Sequence, residues 1–148
     1  TQQASVQVQR LSTVARPVLS SVRHVFPIRT HLHVSLIYSS ASSAKVDEDF
    51  LRSLGVARRY CQIERVPVRM SSAEQITMAI TECKADVLVL IRGGGAEAEF
   101  EVFNQPNVVE ALVECPAYRI VGLGHSANTT LLDQVADYAA SVPFIKTN

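Results

Sequence analysis

Five consecutive apolar residues, Val87-Leu88-Val89-Leu90-Ile91, stand between Asp86 and the run Arg92-Gly93-Gly94-Gly95. A strand with one wet face alternates apolar and polar residues, because successive side chains point to opposite sides. An unbroken apolar run of this length instead suits a strand covered on both faces, as in a parallel sheet between two layers of helix. Parallel neighbours cannot be joined by tight hairpins and need crossovers, usually helical. That requirement organises the rest of the chain.

The flanking segments meet it. His33-Val34-Ser35-Leu36-Ile37-Tyr38 reads as a first strand, followed by a small-residue loop over 39–44. Residues 49–60 read as a helix with Phe50, Leu51, Leu54 and Ala57 on its buried face, and 62–68 as a second strand. Ser71-Ser72-Ala73-Glu74 has the Ser-x-x-Glu spacing of a capping box, predicting a helix from there to Cys83. After the central strand, residues 100–114 are expected to be mostly helical with a break near Pro106, 118–122 to form a fourth strand, and 128–138 a final helix. The alternation predicts an α/β fold: a three-layer domain with a mostly parallel sheet of about four to five strands and helices on both faces. Upstream, Val6, Val8, Leu11, Val14, Val18, Leu19 and Val22 suit a helix over 5–23. Residues 1–27 are therefore expected to be an amino-terminal helix left from a longer chain, and 28–148 a single α/β domain.

A chain of 148 residues is long enough to bury roughly 70% of its unfolded surface in one core. Fourteen basic and fourteen acidic residues leave a formal net charge of zero, which does not suit a strongly basic nucleic-acid-coating surface. Cys61, Cys83 and Cys115 are scattered, form no Cys-x-x-Cys pair, and read as reduced thiols of a cytoplasmic protein. No apolar run reaches the length of a membrane span.

Arg92 and its glycines leave the central strand together. Glycine admits φ > 0 and close approach of backbone to ligand, and open α/β sheets bind ligands at the carboxyl ends of their strands. An arginine fork beside unobstructed N–H groups points to an anion, with phosphate foremost. No Gly-Lys-Ser/Thr follows, so the loop is not that of a nucleotide hydrolase. Gly122-Leu123-Gly124-His125-Ser126-Ala127 leaves the next strand and formally satisfies a dinucleotide fingerprint. It lies on the last expected strand, however, where that fingerprint belongs on the first. His125, placed just past two glycines, is presented for proton transfer or for orienting water. Asp133 and Asp137, at i and i+4, are expected to share a face of the last helix in a supporting role. His24 has no partner in sequence, and His31 and His33 have no carboxylate at ligand spacing, so no metal site is assigned.

These motifs, together with Phe103-Asn104, Thr130, Asp133, Val135-Ala136-Asp137, Ala140 and Pro143, resemble in order and spacing the large subunit of exodeoxyribonuclease VII. The resemblance covers roughly the carboxyl-terminal half and is looser before it. It implies hydrolysis of single-stranded DNA to short oligonucleotides, with a small subunit as partner in the full-length protein. Arg92 would hold the scissile phosphate, Gly93, Gly94, Gly95 and Gly124 would cradle its oxygens, and His125 would position or deprotonate water. An acid before the first helix would orient water or histidine; Asp49 fits by its flanking apolar residues and Asp47 by strict count. Asn104, Thr130, Asp133 and Asp137 would support the site. No cofactor is assigned, with Mg2+ left open.

The chain departs from the family pattern at several charged positions. Asn128 stands where the family has the aspartate three residues after the histidine. Ser126, Ala96, Ala98 and Ala139 replace further motif residues, leaving Glu99 from an acidic pair. The family's amino-terminal OB-fold and the long helices that dock the small subunit are not expected in this chain. A catalytically degenerate phosphate- or nucleic-acid-binding or assembly module on the same scaffold is the alternative, and a dinucleotide-binding domain a second one.

Overall fold

The computed structural model describes residues 22–41, 46–92, 97–123 and 130–140. Its strands are β1 (Leu32–Ser39), β2 (Cys61–Val68), β3 (Val87–Ile91), β4 (Tyr118–Gly122) and β5 (Tyr138–Ala140). Its α-helices are α1 (Val46–Ser53), α2 (Ala73–Thr81), α3 (Pro106–Glu114) and α4 (Leu131–Val135), with 3-10 turns at Gly55–Tyr60 and Glu97–Asn104. All strand pairs are parallel, in the order β2-β1-β3-β4-β5. The predicted α/β sheet with helices on both sides is thus present, and β3, the unbroken apolar run, is buried at every position in its centre.

The strand order dictates the layers. From β1 the chain moves outward to β2, then back across β1 to β3 and on to β4 and β5. Right-handed crossovers therefore put α1 on one face and the later helices on the other. The two apolar clusters follow this division. Val34, Leu36, Val87, Val89 and Ile91 pack with Val46, Phe50 and Leu51 of α1. Ile37, Leu88, Leu90 and Val121 pack with Ile76 and Ile80 of α2, Val108 and Leu112 of α3, and Leu132 of α4.

Several boundaries differ from expectation for local reasons. The first helix begins by Val46 and stops at Ser53, because Gly55 turns the chain at φ +56° into a 3-10 segment. The cap of α2 is Ser72, not Ser71. Its hydroxyl accepts from Gln75 N at 3.1 Å, while the Gln75 side chain accepts from Arg69 N at 2.8 Å. Past α4 the chain extends into β5, a strand the sequence did not announce, since Tyr138-Ala139-Ala140 is short and only partly apolar. The expected amino-terminal helix lies mostly outside the described residues; Val22 and Arg23, at its end, are irregular.

Arg119 and Asp137 hold this part of the sheet together. Both side chains are buried, 0% and 1% exposed, and they meet at 2.9 Å. Arg119 donates from Nε and Nη2 to the two carboxylate oxygens, while its Nη2 also reaches Val22 O and its Nη1 reaches Leu112 O, each at 2.8 Å. Asp137 further accepts from the backbone N of Arg119 and of His24. The expectation that Asp133 and Asp137 share a helix face is corrected here: α4 ends at Val135, and Asp137 belongs to the approach to β5. Burial works to raise the Asp137 carboxyl, but hydrogen bonds from Arg119 and His24 and the guanidinium charge outweigh it and hold it below the ordinary value of 3.8.

The cysteines are free thiols. Cys83 and Cys115 are buried at the ends of α2 and α3, and Cys61 is half-buried. A hydrogen bond to Cys83 and burial together push the Cys115 thiol up. No helix among the described residues is long and apolar enough to cross a membrane.

Two outcomes follow for stability. A Cβ at Gly55 would meet nothing within 4 Å, so Gly55→Ala carries only the left-handed backbone strain. It should cost about 1 kcal/mol in denaturant unfolding. Because the Asp137 carboxyl is depressed, its contribution is full above the ordinary 3.8 and is lost as pH falls through the lower folded value. Asp137→Asn leaves Arg119 charged and buried, and should cost about 3 kcal/mol at neutral pH. Thermal melts from pH 7 to pH 2 should show part of the parent's acid-limb slope disappearing in that variant.

Candidate functional site

In this strand order the connections leaving β1 and β3 diverge to opposite faces, opening a crevice between their carboxyl ends, the usual binding place in such sheets. Arg92 stands at that edge. Its backbone N donates to Gly122 O at 2.8 Å, extending the β3–β4 ladder by one rung, so the side chain leaves from a fixed point. By strand alternation it turns to the α2–α3 face, as Leu88 and Leu90 do. There its Cζ lies 4.6 Å from the centroid of the Phe100 ring. The side chain is only 10% exposed and is ion-paired to Glu99. A cation so placed lies against an aromatic face and a carboxylate, with little of it open to bulk water.

Asn104 ends the same 3-10 segment. Its Oδ1 accepts from Leu131 N at 2.7 Å, tying the segment after β3 to the first turn of α4. Thr130 caps α4 reciprocally with Asp133. The Thr130 hydroxyl accepts from Asp133 N at 3.2 Å, and Asp133 Oδ2 accepts from Thr130 N at 3.0 Å and from its hydroxyl at 2.9 Å. Leu123 and Thr130, which flank residues 124–129, are both buried. Asn104, Thr130 and Asp133 thus gather around the start of α4, next to the loop that carries His125.

The structure does not bring every expected residue to Arg92. Asp47 is buried on α1, across the sheet, with its carboxylate 3.5 Å from Arg65 of β2. Asp49 lies 3.4 Å from Arg52, one turn along the same helix. Among the described residues, neither carboxylate contacts Arg92. Asp137 sits beside Arg119 toward the start of β4, not at its exit, and the reason is register: Tyr138 pairs with Ile120. Gly93, Gly94, Gly95, Gly124, His125 and Asn128 lie outside the described residues. No group of three or more His, Cys, Asp or Glu suited to a metal ion occurs among the described residues.

A cavity of about 420 Å3 opens at the other edge of the sheet, where Arg29, Lys84, Asp86 and Tyr118 line it. Its Arg29 is already engaged by Asp86 at 3.1 Å. Arg92, at the exit of β3, stands at the opposite ends of the strands from this cavity.

Sequence reasoning missed Phe100 and Arg119. Phe100 reads in sequence as one more core aromatic, and only the turn of Glu97–Asn104 folds it beneath Arg92. Arg119 offered a weak signal, a lone charge inside an apolar strand, with Asp137 eighteen residues away as its partner.

The chain resembles known proteins over most of its length. The family described as exonuclease VII, large subunit, matches residues 27–144. The chain is 44% identical over 68 residues to the exodeoxyribonuclease 7 large subunit of Acaryochloris marina, covering 46% of this chain and 16% of that protein. It is 32% identical over 126 residues to that of Bordetella avium, covering 79% of this chain and 27% of the relative. The corresponding match in Streptomyces coelicolor is 32% over 116 residues, or 74% and 29%. The matched stretches thus span under a third of these relatives. With its parallel sheet, its Arg92 exit and a family match from the first described strand through the last, the chain belongs to the exonuclease VII large subunit family.

Proposed function

We propose that this domain binds the backbone of single-stranded DNA at the exits of β3 and β4 and hydrolyses it to short oligonucleotides. The observation that carries the proposal is the Arg92 guanidinium, anchored on Phe100 at the exit of the central strand. A cation largely removed from bulk water at the exit of the central strand is suited to an anionic ligand. The name exodeoxyribonuclease, borne by the relatives, supports a DNA phosphodiester as that anion.

In this reading Arg92 binds the scissile phosphate and offsets the charge that builds on its non-bridging oxygens in the transition state. The N–H groups of Gly93, Gly94, Gly95 and Gly124 accompany it. His125 takes a proton from the attacking water as its oxygen bonds to phosphorus, and the bond from phosphorus to the departing nucleotide's oxygen breaks. Asp47 or Asp49 orients the histidine or the water. Asn104, Thr130 and Asp133 support the loop through the hydrogen bonds described above. The small subunit of the enzyme is the proposed protein partner, the cytoplasm the proposed location, and Mg2+ the ion to be tested.

A second reading has one observation in its favour. Asn128 occupies the position of a family aspartate, and an amide neither accepts a proton as a base nor binds a cation as a carboxylate does. On that reading the domain retains phosphate or nucleic-acid binding without turnover.

The experiment is cleavage of end-labelled single-stranded DNA with Mg2+, without it, and with chelator. Arg92→Ala and His125→Ala should each lower the rate by about a hundredfold or more, while Asn128→Asp should raise it. Activity unchanged in Arg92→Ala would remove the proposal. An inert parent rescued by Asn128→Asp, or DNA binding without products in every variant, would establish the second reading.

A further inference from the structure

The two partners of the Arg92–Glu99 ion pair live in different surroundings. The Arg92 side chain is 10% exposed and the Glu99 side chain 56% exposed. Phe100, beneath the guanidinium, is itself buried, and its ring packs 6.3 Å from that of the fully buried Phe103. The cation is therefore held from below by a core aromatic. It is also paired with a carboxylate whose own side chain stands largely open to water, so that end of the pair exchanges readily with solvent.

We propose that Glu99 is a displaceable counter-ion and a built-in competitor for the anion that Arg92 binds. The inference rests on the reading of Arg92 as a phosphate receptor. Carboxylate and phosphodiester both accept from the planar arginine fork, so they compete for the same donors. Glu99 neutralises the guanidinium in the free domain and swings into solvent when a phosphate arrives, while Phe100 keeps the guanidinium in place. Specificity follows from tethering. A carboxylate seven positions along the chain acts at high effective concentration, so a lone phosphate ion displaces it poorly. An oligonucleotide, which presents several linked phosphates at once, displaces it better.

The test uses the full chain, with fluorescence anisotropy of a labelled oligothymidylate and inorganic phosphate as competitor. The variants are Glu99→Gln, Phe100→Leu, Arg92→Ala and the Arg92→Ala/Glu99→Gln double variant, each checked by circular dichroism. Glu99→Gln changes only an exposed side chain and should tighten oligonucleotide binding about fivefold, the factor expected for removing one competing carboxylate that is itself open to water. It should strengthen competition by inorganic phosphate at least as much. Phe100→Leu should weaken binding, and the gain from Glu99→Gln should vanish when Arg92 is Ala. If Arg92→Ala weakens binding but Glu99→Gln leaves it unchanged or weakens it, Glu99 merely positions Arg92 and the competitor is overturned, while the phosphate reading stands. A gain from Glu99→Gln that persists without Arg92 also overturns it, as a general charge effect. If the parent does not bind, or Arg92→Ala changes nothing, the phosphate reading falls and the competitor with it.

Discussion

The buried pair of Arg119 and Asp137 is the contact on which the carboxyl-terminal half of the domain depends. Burying two charges is costly unless their hydrogen-bonding capacity is used, and here it is. Arg119 reaches the carboxylate, the last carbonyls of α3 and Val22 O, while Asp137 also accepts from two backbone N–H groups. One guanidinium thus joins β4, the start of β5, the end of α3 and the segment before β1. It also lies where a cation is favoured by the helix, at the carbonyl end of α3. A hydrophobic replacement would fill the space but would leave no device to select this arrangement of four segments.

That lock reaches the candidate site through β4. With β4 held between β3 and β5, Gly122 O is in place for the Arg92 N–H, and β3 and β4 end side by side at one edge of the sheet. The side chain of Arg92 goes to the α2–α3 face because alternation puts it there, and the 3-10 segment after the loop returns Phe100 beneath it. Asp47, by contrast, stands on the α1 face against Arg65. The sheet edge therefore lies between the cation and the carboxylate, on the crevice where β1 and β3 part.

Several residues that mark the family in sequence act here on the backbone. Asn104 satisfies an N–H in the first turn of α4, and Thr130 and Asp133 cap the same turn reciprocally. A helix start leaves N–H groups without internal partners, so residues that supply acceptors there fix where the preceding loop must end. Their proximity to His125 in sequence makes them look chemical, whereas their hydrogen bonds are those of a cap.

Much of this protein was legible in its sequence. The run Val87–Ile91 demanded a strand covered on both faces, and helical spacings between apolar runs supplied the crossovers, because burial and periodicity are local properties of the chain. The Arg92 and His125 motifs, with Asn104, Thr130 and Asp133 at fixed spacing, identified the family for the same reason. Tertiary structure decided what depends on residues distant in sequence. It turned Asp137 from a helix face to Arg119, made a strand of Tyr138-Ala139-Ala140 because β4 offered an edge to pair with, and put Phe100 under Arg92. It also set Asp47 and Arg92 on opposite faces, since the face each element takes follows from the strand order together with right-handed crossovers and not from any one segment.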